Sequence, residues 1–326
     1  MSLHEQEYKE CESEIREKEQ TETHEHKPEL GARVQEHKDA QGIDNQTREH
    51  EYELESQTQE HIPDQTIEPQ EHELEHAQLL QWAEALEAPF ALNDYNGSVM
   101  GDIVFAYQSG SCPILISCPH TVNHRRGDWV KEMDEYTGAL GLILKSLTDC
   151  HLMFTTKLYD EDPNFVEGGV YKSELVRLSK KHGIRFVIDL HGASSTREFD
   201  IDLGSRYGKT LREPAANIIT EQLRKHGLSD VRSNDTFAAT GPGTVTSHTA
   251  RHLKIQAVQI EINGKYRSPR TDIESFSRIV KGLTQAIECI KEDVRQNERQ
   301  KQRIIRSERC ASAGHRRRNI HFRARW

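Results

Sequence analysis

Apolar side chains are scarce in this chain. Of its 326 residues, 34% are hydrophobic and 6% aromatic, and the mean hydropathy is -0.80. No apolar run approaches the ~20 residues that cross a bilayer, and no amino-terminal apolar segment of signal-peptide type is present. A soluble, cytoplasmic protein without a membrane partner is therefore expected. Cysteines are few and scattered (Cys11, Cys112, Cys118, Cys150, Cys289, Cys310), two of them near the chain ends. That spread excludes a disulfide scaffold and points to free thiols in a reducing compartment. No internal repeat is evident.

The apolar deficit is local. Residues 1–76 hold 23 acidic against 7 basic residues, with many Gln and eight His. So little apolar surface cannot offset chain entropy, which predicts a disordered or intermittently helical acidic arm over 1–76. The last 32 residues have the opposite sign, with 11 Lys or Arg against two Glu. A disordered basic tail is expected over 296–326. Arg316-Arg317-Arg318, Phe322 and Trp326 give that tail a means of touching nucleic-acid phosphates and bases. No nucleic-acid-binding fold accompanies them, and pairing with the acidic arm fits equally well. Between the arms, 77–295 is nearly neutral and long enough for one sizeable core.

Within that stretch, strand-like and helix-like patterns alternate. Ile103–Tyr107, Ile114–Cys118, His151–Thr156, Ile184–His191 and Ile255–Asn263 read as strands. Glu71–Ala91, Trp129–Leu147, Tyr171–His182, Ala215–His226 and Ile273–Arg295 read as helices, with Gly183 and Gly227 as caps. Thr240–Thr246 reads as a loop. Alternation of this kind predicts an α/β fold, a three-layer α/β/α sandwich with a mainly parallel central sheet.

Three strands end in chemistry-bearing residues. Ile-Leu-Ile-Ser-Cys-Pro-His ends in His120, after a proline that must stop the ladder. Ile-Arg-Phe-Val-Ile-Asp-Leu-His ends in His191, followed by Gly192, and Glu261 comes late in a third apolar strand. Open α/β sheets bind ligands at the carboxyl ends of their strands. Two histidines there suggest a catalytic metal, with a third ligand nearby and an open position. Asp134 is the candidate third ligand, with His124 and Asp128 as rivals. A bound cation makes water acidic near neutral pH, and Glu261 could move its proton. Arg125, Arg126 and Arg267 are available to hold an anionic substrate or oxyanion.

Plain alternatives stand beside each role. A histidine at one strand end is commonly a structural hydrogen-bonding residue, and Asp189 could cap a turn or orient a ligand. Glu261 is harder to explain away, because burying an unpaired carboxylate is expensive; a structural partner such as Arg267 could satisfy it. His24, His26, His315 and His321 could hold metal loosely but read better as solvated tail residues.

Pro119-His120, the Glu-Met-Asp-Glu-Tyr segment containing Asp134, Asp189-Leu190-His191-Gly192 and Gln259-Ile260-Glu261-Ile262-Asn263 with Tyr266-Arg267 occur in that order. Together they resemble the N-formylglutamate amidohydrolase family, related in fold to zinc carboxypeptidases. The likeness spans roughly residues 100–290 and neither tail. It implies a zinc-dependent hydrolase that cleaves the amide of an N-acylated amino acid or small carboxylate-bearing, peptide-like substrate. By position, His120, Asp134 and His191 would hold zinc (or another divalent metal), Glu261 would be the general acid/base, and Arg267 would belong to the pocket. Asn164 lies in Asp162-Pro163-Asn164-Phe165, where the family has an Asp-Leu-Asn-Arg type of run, and would contact substrate with Arg125 and Arg126. Two positions depart from the family pattern: Thr121 follows the first histidine where glycine is common, and Phe165 replaces the arginine. The competing reading keeps the fold but not catalysis, giving a binding or interaction protein that acts through its charged arms.

Overall fold

The computed structural model describes the backbone of residues 68–99 and 103–321, and side chains within 73–99, 103–300 and 303–304. The acidic arm before residue 68 lies outside the described residues, with His24 and His26, and so do the side chains of His315, His321, Phe322 and Trp326.

The sheet grows from the apolar runs. β1 (Phe105–Gln108), β2 (Ile114–Cys118), β5 (His151–Thr155), β6 (Phe186–Ala193), β7 (Ile201–Gly204), β8 (Val231–Ser233) and β9 (Gln256–Asn263) form one sheet in the order β1-β5-β2-β6-β9-β7-β8. β5, β2, β6 and β9 run parallel, and β7 and β8 are parallel to each other. β1 and β7 join β5 and β9 antiparallel. Alternate residues of the strands divide between two cores, as a two-residue side-chain period requires. Ile114, Ile116, Ile188, Leu190, Val258 and Ile260 face one core, built with α1 (Glu68–Glu87), α2 (Thr137–Thr148), α4 (Glu213–Lys225), α6 (Gly264–Arg267) and α7 (Ile273–His321). Leu115, Met153, Val187 and Ala257 face the other, under α3 (Val170–His182) and α5 (Val245–Leu253). This is a three-layer α/β/α sandwich with a mainly parallel sheet.

The connections place the switch point of the sheet. From β2 the chain crosses through α2 to β5 on one side, then returns through α3 to β6 on the other. Because the chain leaves β2 and β6 in opposite directions, their carboxyl ends form the switch point at which such sheets bind ligands.

Three expectations need correction. Trp129–Lys131 is not helical; as β4 it forms a hairpin with β3 (His124–Arg126), and the helix starts only at Thr137. The turn is Gly127-Asp128, with Gly127 at φ +62, the left-handed conformation a two-residue hairpin turn demands. Thr244 caps α5 by accepting from Ser247 N–H, so the expected loop gives way to a helix at Val245. α7 continues to His321 instead of stopping near Arg295, because the tail is rich in Arg and Gln, both good helix formers, and has no Pro. α1 begins at Glu68, three residues before the expected start at Glu71. Among the described residues, no helix is long and apolar enough to cross a membrane.

Candidate metal centre

His120 sits two residues beyond β2, where Pro119 has ended the ladder. His191 is near the carboxyl end of the neighbouring β6. Asp134 reaches the same point from the turn before α2: its N–H donates to His120 O (2.8 Å), and its carbonyl accepts from the Thr137 N–H and hydroxyl (3.1 and 2.7 Å). That turn holds Tyr136 at φ 61, an uncommon conformation for a bulky residue. Glu87 of α1 supports it, accepting from Tyr136 N–H (2.8 Å) and Ala139 N–H (3.3 Å) in place of a local helix cap.

The three side chains converge, and all are buried. His120 Nδ1 lies 3.2 Å from Asp134 Oδ2, His191 Nδ1 lies 3.3 Å from the same oxygen, and the two imidazole nitrogens are 3.1 Å apart. Zinc bonds to N and O at about 2.0–2.2 Å, so tetrahedral donors stand roughly 3.3 Å from one another. The triangle fits one cation. Of the rivals, His124 is buried behind His120 with ring centroids 5.3 Å apart, and Asp128 is exposed at the hairpin turn.

Each candidate ligand is oriented from behind. His120 Nε2 faces Asp162 Oδ1 at 2.8 Å, and Asp162 Oδ2 accepts from Arg126 Nε at 2.6 Å. Asp134 Oδ1 accepts from Lys131 Nζ (2.9 Å). His191 Nε2 is 3.3 Å from Asp189 Oδ2, whose other oxygen accepts from the Ser117 hydroxyl (2.9 Å). Carboxylates behind metal-binding imidazoles set the tautomer and raise basicity. Burial alone pushes the Asp134 and Asp162 carboxyls up, but Lys131 with His120, and His120 with Arg126, outweigh it and hold both well below the usual range. Burial alone pushes the His191 imidazole down; Asp189, Asp134 and Glu261 reverse this and raise it well above its ordinary value. His124, outside that cluster, is driven down to about 3 by burial and by His120.

Glu261 on β9 is in register with His191 on β6, so both side chains rise from the same face of the sheet. Its carboxyl is buried, which pushes it up to about 7 against the opposing pull of His191. Gln259 Nε2 donates to one of its oxygens (2.9 Å). A carboxyl poised near neutrality beside the triangle can both take and return a proton.

The expected substrate contacts are mostly committed within the protein. Arg125 is half-exposed and pairs with Asp160 (3.2 Å). Arg126 is held by Asp162 and lies over the Trp129 and Phe165 rings at 5.3 and 4.9 Å. Asn164 Oδ1 accepts from Val245 N–H (2.8 Å) at the start of α5, and its own N–H donates to Asp162 (2.8 Å). Arg267 packs against Gly192 and donates to the carbonyls of Ile262 (3.0 Å), Ala193 (3.1 Å) and Glu135. It thus ties β6 and β9 to the Asp134 turn.

Sequence reasoning missed three supports. Asp162 was visible as a carboxylate two residues before Asn164, but its contact with His120 was not. Glu87 lies 49 residues from Tyr136. Lys172 is fully buried on α3 and donates to the carbonyls of Pro163 (2.6 Å), Gly243 (2.5 Å) and Val166, clamping the turn that carries Asp162. A lysine inside an amphipathic helix gives no local sign of that role.

Comparisons with known proteins bear on the same residues. None of the curated proteins matches the chain. Among solved structures, N-formylglutamate amidohydrolase from Ralstonia eutropha JMP134 is similar at 16% identity and a TM-score of 0.45, covering 60% of this chain and 100% of that one. A bacteriophage poly-gamma-glutamate hydrolase is similar at 16% identity and a TM-score of 0.38, over 61% of this chain and 92% of its own. A metallo-carboxypeptidase from Pseudomonas aeruginosa is similar at 13% and 0.36, over 67% and 68%. The model of the N-formylglutamate amidohydrolase family matches residues 171–266, so the chain's likeness to that family holds over the segment that carries His191 and Glu261.

Proposed function

We propose that this protein is a metal-dependent amidohydrolase, with zinc as the metal, acting on an N-acylated amino acid or a small carboxylate-bearing peptide. The observation that carries this reading is the buried triangle of His120 Nδ1, Asp134 Oδ2 and His191 Nδ1, with edges of 3.1–3.3 Å, beside an in-register Glu261. The family match over 171–266 supports the amide bond as target.

His120, Asp134 and His191 would hold the cation. When bound, zinc polarises a carbonyl and makes water acidic enough to attack it near pH 7. The chain's own residues do the rest. Glu261, ionised, takes a proton from the attacking water as its oxygen bonds to the amide carbon. The C–N bond then breaks, and the same carboxyl returns the proton to the departing nitrogen, giving a carboxylate and an amine. Asp162 holds the His120 imidazole with Nδ1 toward the triangle, while Asp189 Oδ2 lies 3.3 Å from His191 Nε2 with no hydrogen bond between them. Lys131 occupies the outer oxygen of Asp134 and leaves the inner one directed at that point.

Elemental analysis of purified full-length protein tests the reading, with His120→Ala and Glu261→Gln beside it. One zinc per chain is expected in wild type and in Glu261→Gln, and none in His120→Ala. Turnover of N-acyl amino acids is expected in wild type alone. Folded, active wild type that holds no metal would remove the metal from this reading; metal-loaded but inert wild type would remove the hydrolase.

A further inference from the structure

Among the described residues near the carboxyl ends of β6 and β9, one cation is left without an acceptor. Lys131 is bound to Asp134, Arg126 to Asp162, Arg125 to Asp160 and Lys265 to Asp200. Arg267 donates to three backbone carbonyls. Arg197 differs. It lies on the loop leaving the carboxyl end of β6, six residues after His191. Its Nε is buried without an acceptor, and among the described residues nothing accepts a hydrogen bond from its guanidinium. The adjacent Glu198 faces Arg232 instead, at 3.6 Å.

The sheet places Arg197 close to the proposed base. His191, Glu261 and Asp202 are neighbours in register on β6, β9 and β7, so their side chains share one face. Asn263, two residues after Glu261, points the same way, and its Nδ2 donates to the carbonyls of Arg197 and Phe199, both at 2.8 Å. On the other flank, the Asp202 carboxylate accepts from Thr236 N–H (2.8 Å) and Phe237 N–H (2.7 Å). That brings the Phe237 ring under the guanidinium, with Arg197 Cζ 5.5 Å from the ring centroid. Both loops are thus fastened to β9 or its partner beside Glu261, and Arg197 stands where they meet.

A guanidinium stacked on an aromatic ring is already partly desolvated and restricted in rotamer, so it loses little on capturing an anion. A half-buried cation with no anion is unfavourable by itself, and its planar fork matches a carboxylate in two parallel hydrogen bonds. Resting on the hydrolase reading above, we propose that Arg197 anchors a free carboxylate of the substrate, with Phe237 beneath it. The substrates are then N-acyl amino acids or peptides that keep an ionised carboxyl, and neutral amides are poor ones.

The test uses the zinc-loaded full chain and a panel of N-acyl L-amino acids, each paired with its carboxamide. Turnover and calorimetric binding are both measured. Wild type is expected to prefer the acid of each pair. Arg197→Gln should raise KM for the acids roughly 10- to 100-fold and bring the acid-to-amide ratio of kcat/KM toward one, with Arg197→Lys recovering part of the preference. An active Arg197→Gln enzyme with unchanged KM overturns the anchor and leaves the hydrolase standing. If that variant fails to fold, the wild-type ratio decides, a value near one overturning the anchor. Wild type that neither turns over nor binds any member of the panel removes both readings.

Discussion

Asp162 illustrates how much of the proposed metal site lies behind its candidate ligands. It is fully buried, touches His120 on one side and Arg126 on the other, and sits in a turn clamped by Lys172. Asp162→Asn keeps the shape and removes the charge that fixes the imidazole. Zinc affinity, measured by competition with a chelator, is expected to fall roughly 10- to 100-fold while the fold is retained; unchanged affinity would make Asp162 a structural residue only. Gly192 makes the complementary point through space. A Cβ there would come within 2.3 Å of Arg267 Cζ, so Gly192→Ala must displace the guanidinium that ties β6 to the Asp134 turn. A loss of about 1–3 kcal/mol in denaturant unfolding is expected. The strand-end histidines and Glu261 were legible from apolar runs broken by Pro or Gly. The choice among Asp134, His124 and Asp128 was not, because a loop's path depends on what it packs against.

At the level of elements, α1 and α2 meet through Glu87. Its carboxyl is pushed up to about 7, chiefly by burial and against two backbone N–H bonds that favour the charged form. The folded chain therefore holds a proton that the unfolded chain releases near pH 4.5. The corresponding stability is present in full below pH 4.5 and is lost as pH rises to about 7, with an upper bound of about 3 kcal/mol. Melting temperatures from pH 4.5 to 7.5 should fall more steeply for wild type than for Glu87→Gln; parallel curves would refute the assignment. Elements with strong local signals were legible. α3 ends at Gly183 (φ 68), and β2, β6 and β9 follow their apolar runs. The β3–β4 hairpin, β7, β8 and α5 were not. They are short, and their apolar and charged residues alternate on a surface that exists only once the sheet has formed.

For the whole molecule, the buried core runs from Ala83 to Val294. Beyond Val294, Glu298 reaches back to Arg185 (2.7 Å), an exposed pair of small worth. A chain of residues 73–300 is accordingly expected to melt within a few degrees of the full protein and to bind zinc with the same stoichiometry. A large drop in melting temperature would assign a structural role to the arm or the tail.

The sequence by itself determined the α/β class, the parallel central strands and the rim on which His120, His191 and Glu261 stand. Each depends on the order of residues within a few turns or one strand, and hydrophobic periodicity reports that order directly. Tertiary structure alone decided that Asp134 completes the triangle, that Arg125, Arg126 and Arg267 are bound within the protein, and that the Arg197 guanidinium has no hydrogen-bond acceptor among the described residues. Those outcomes depend on which charges meet across tens of residues. Burial makes such meetings strong, and nothing local in the chain encodes them.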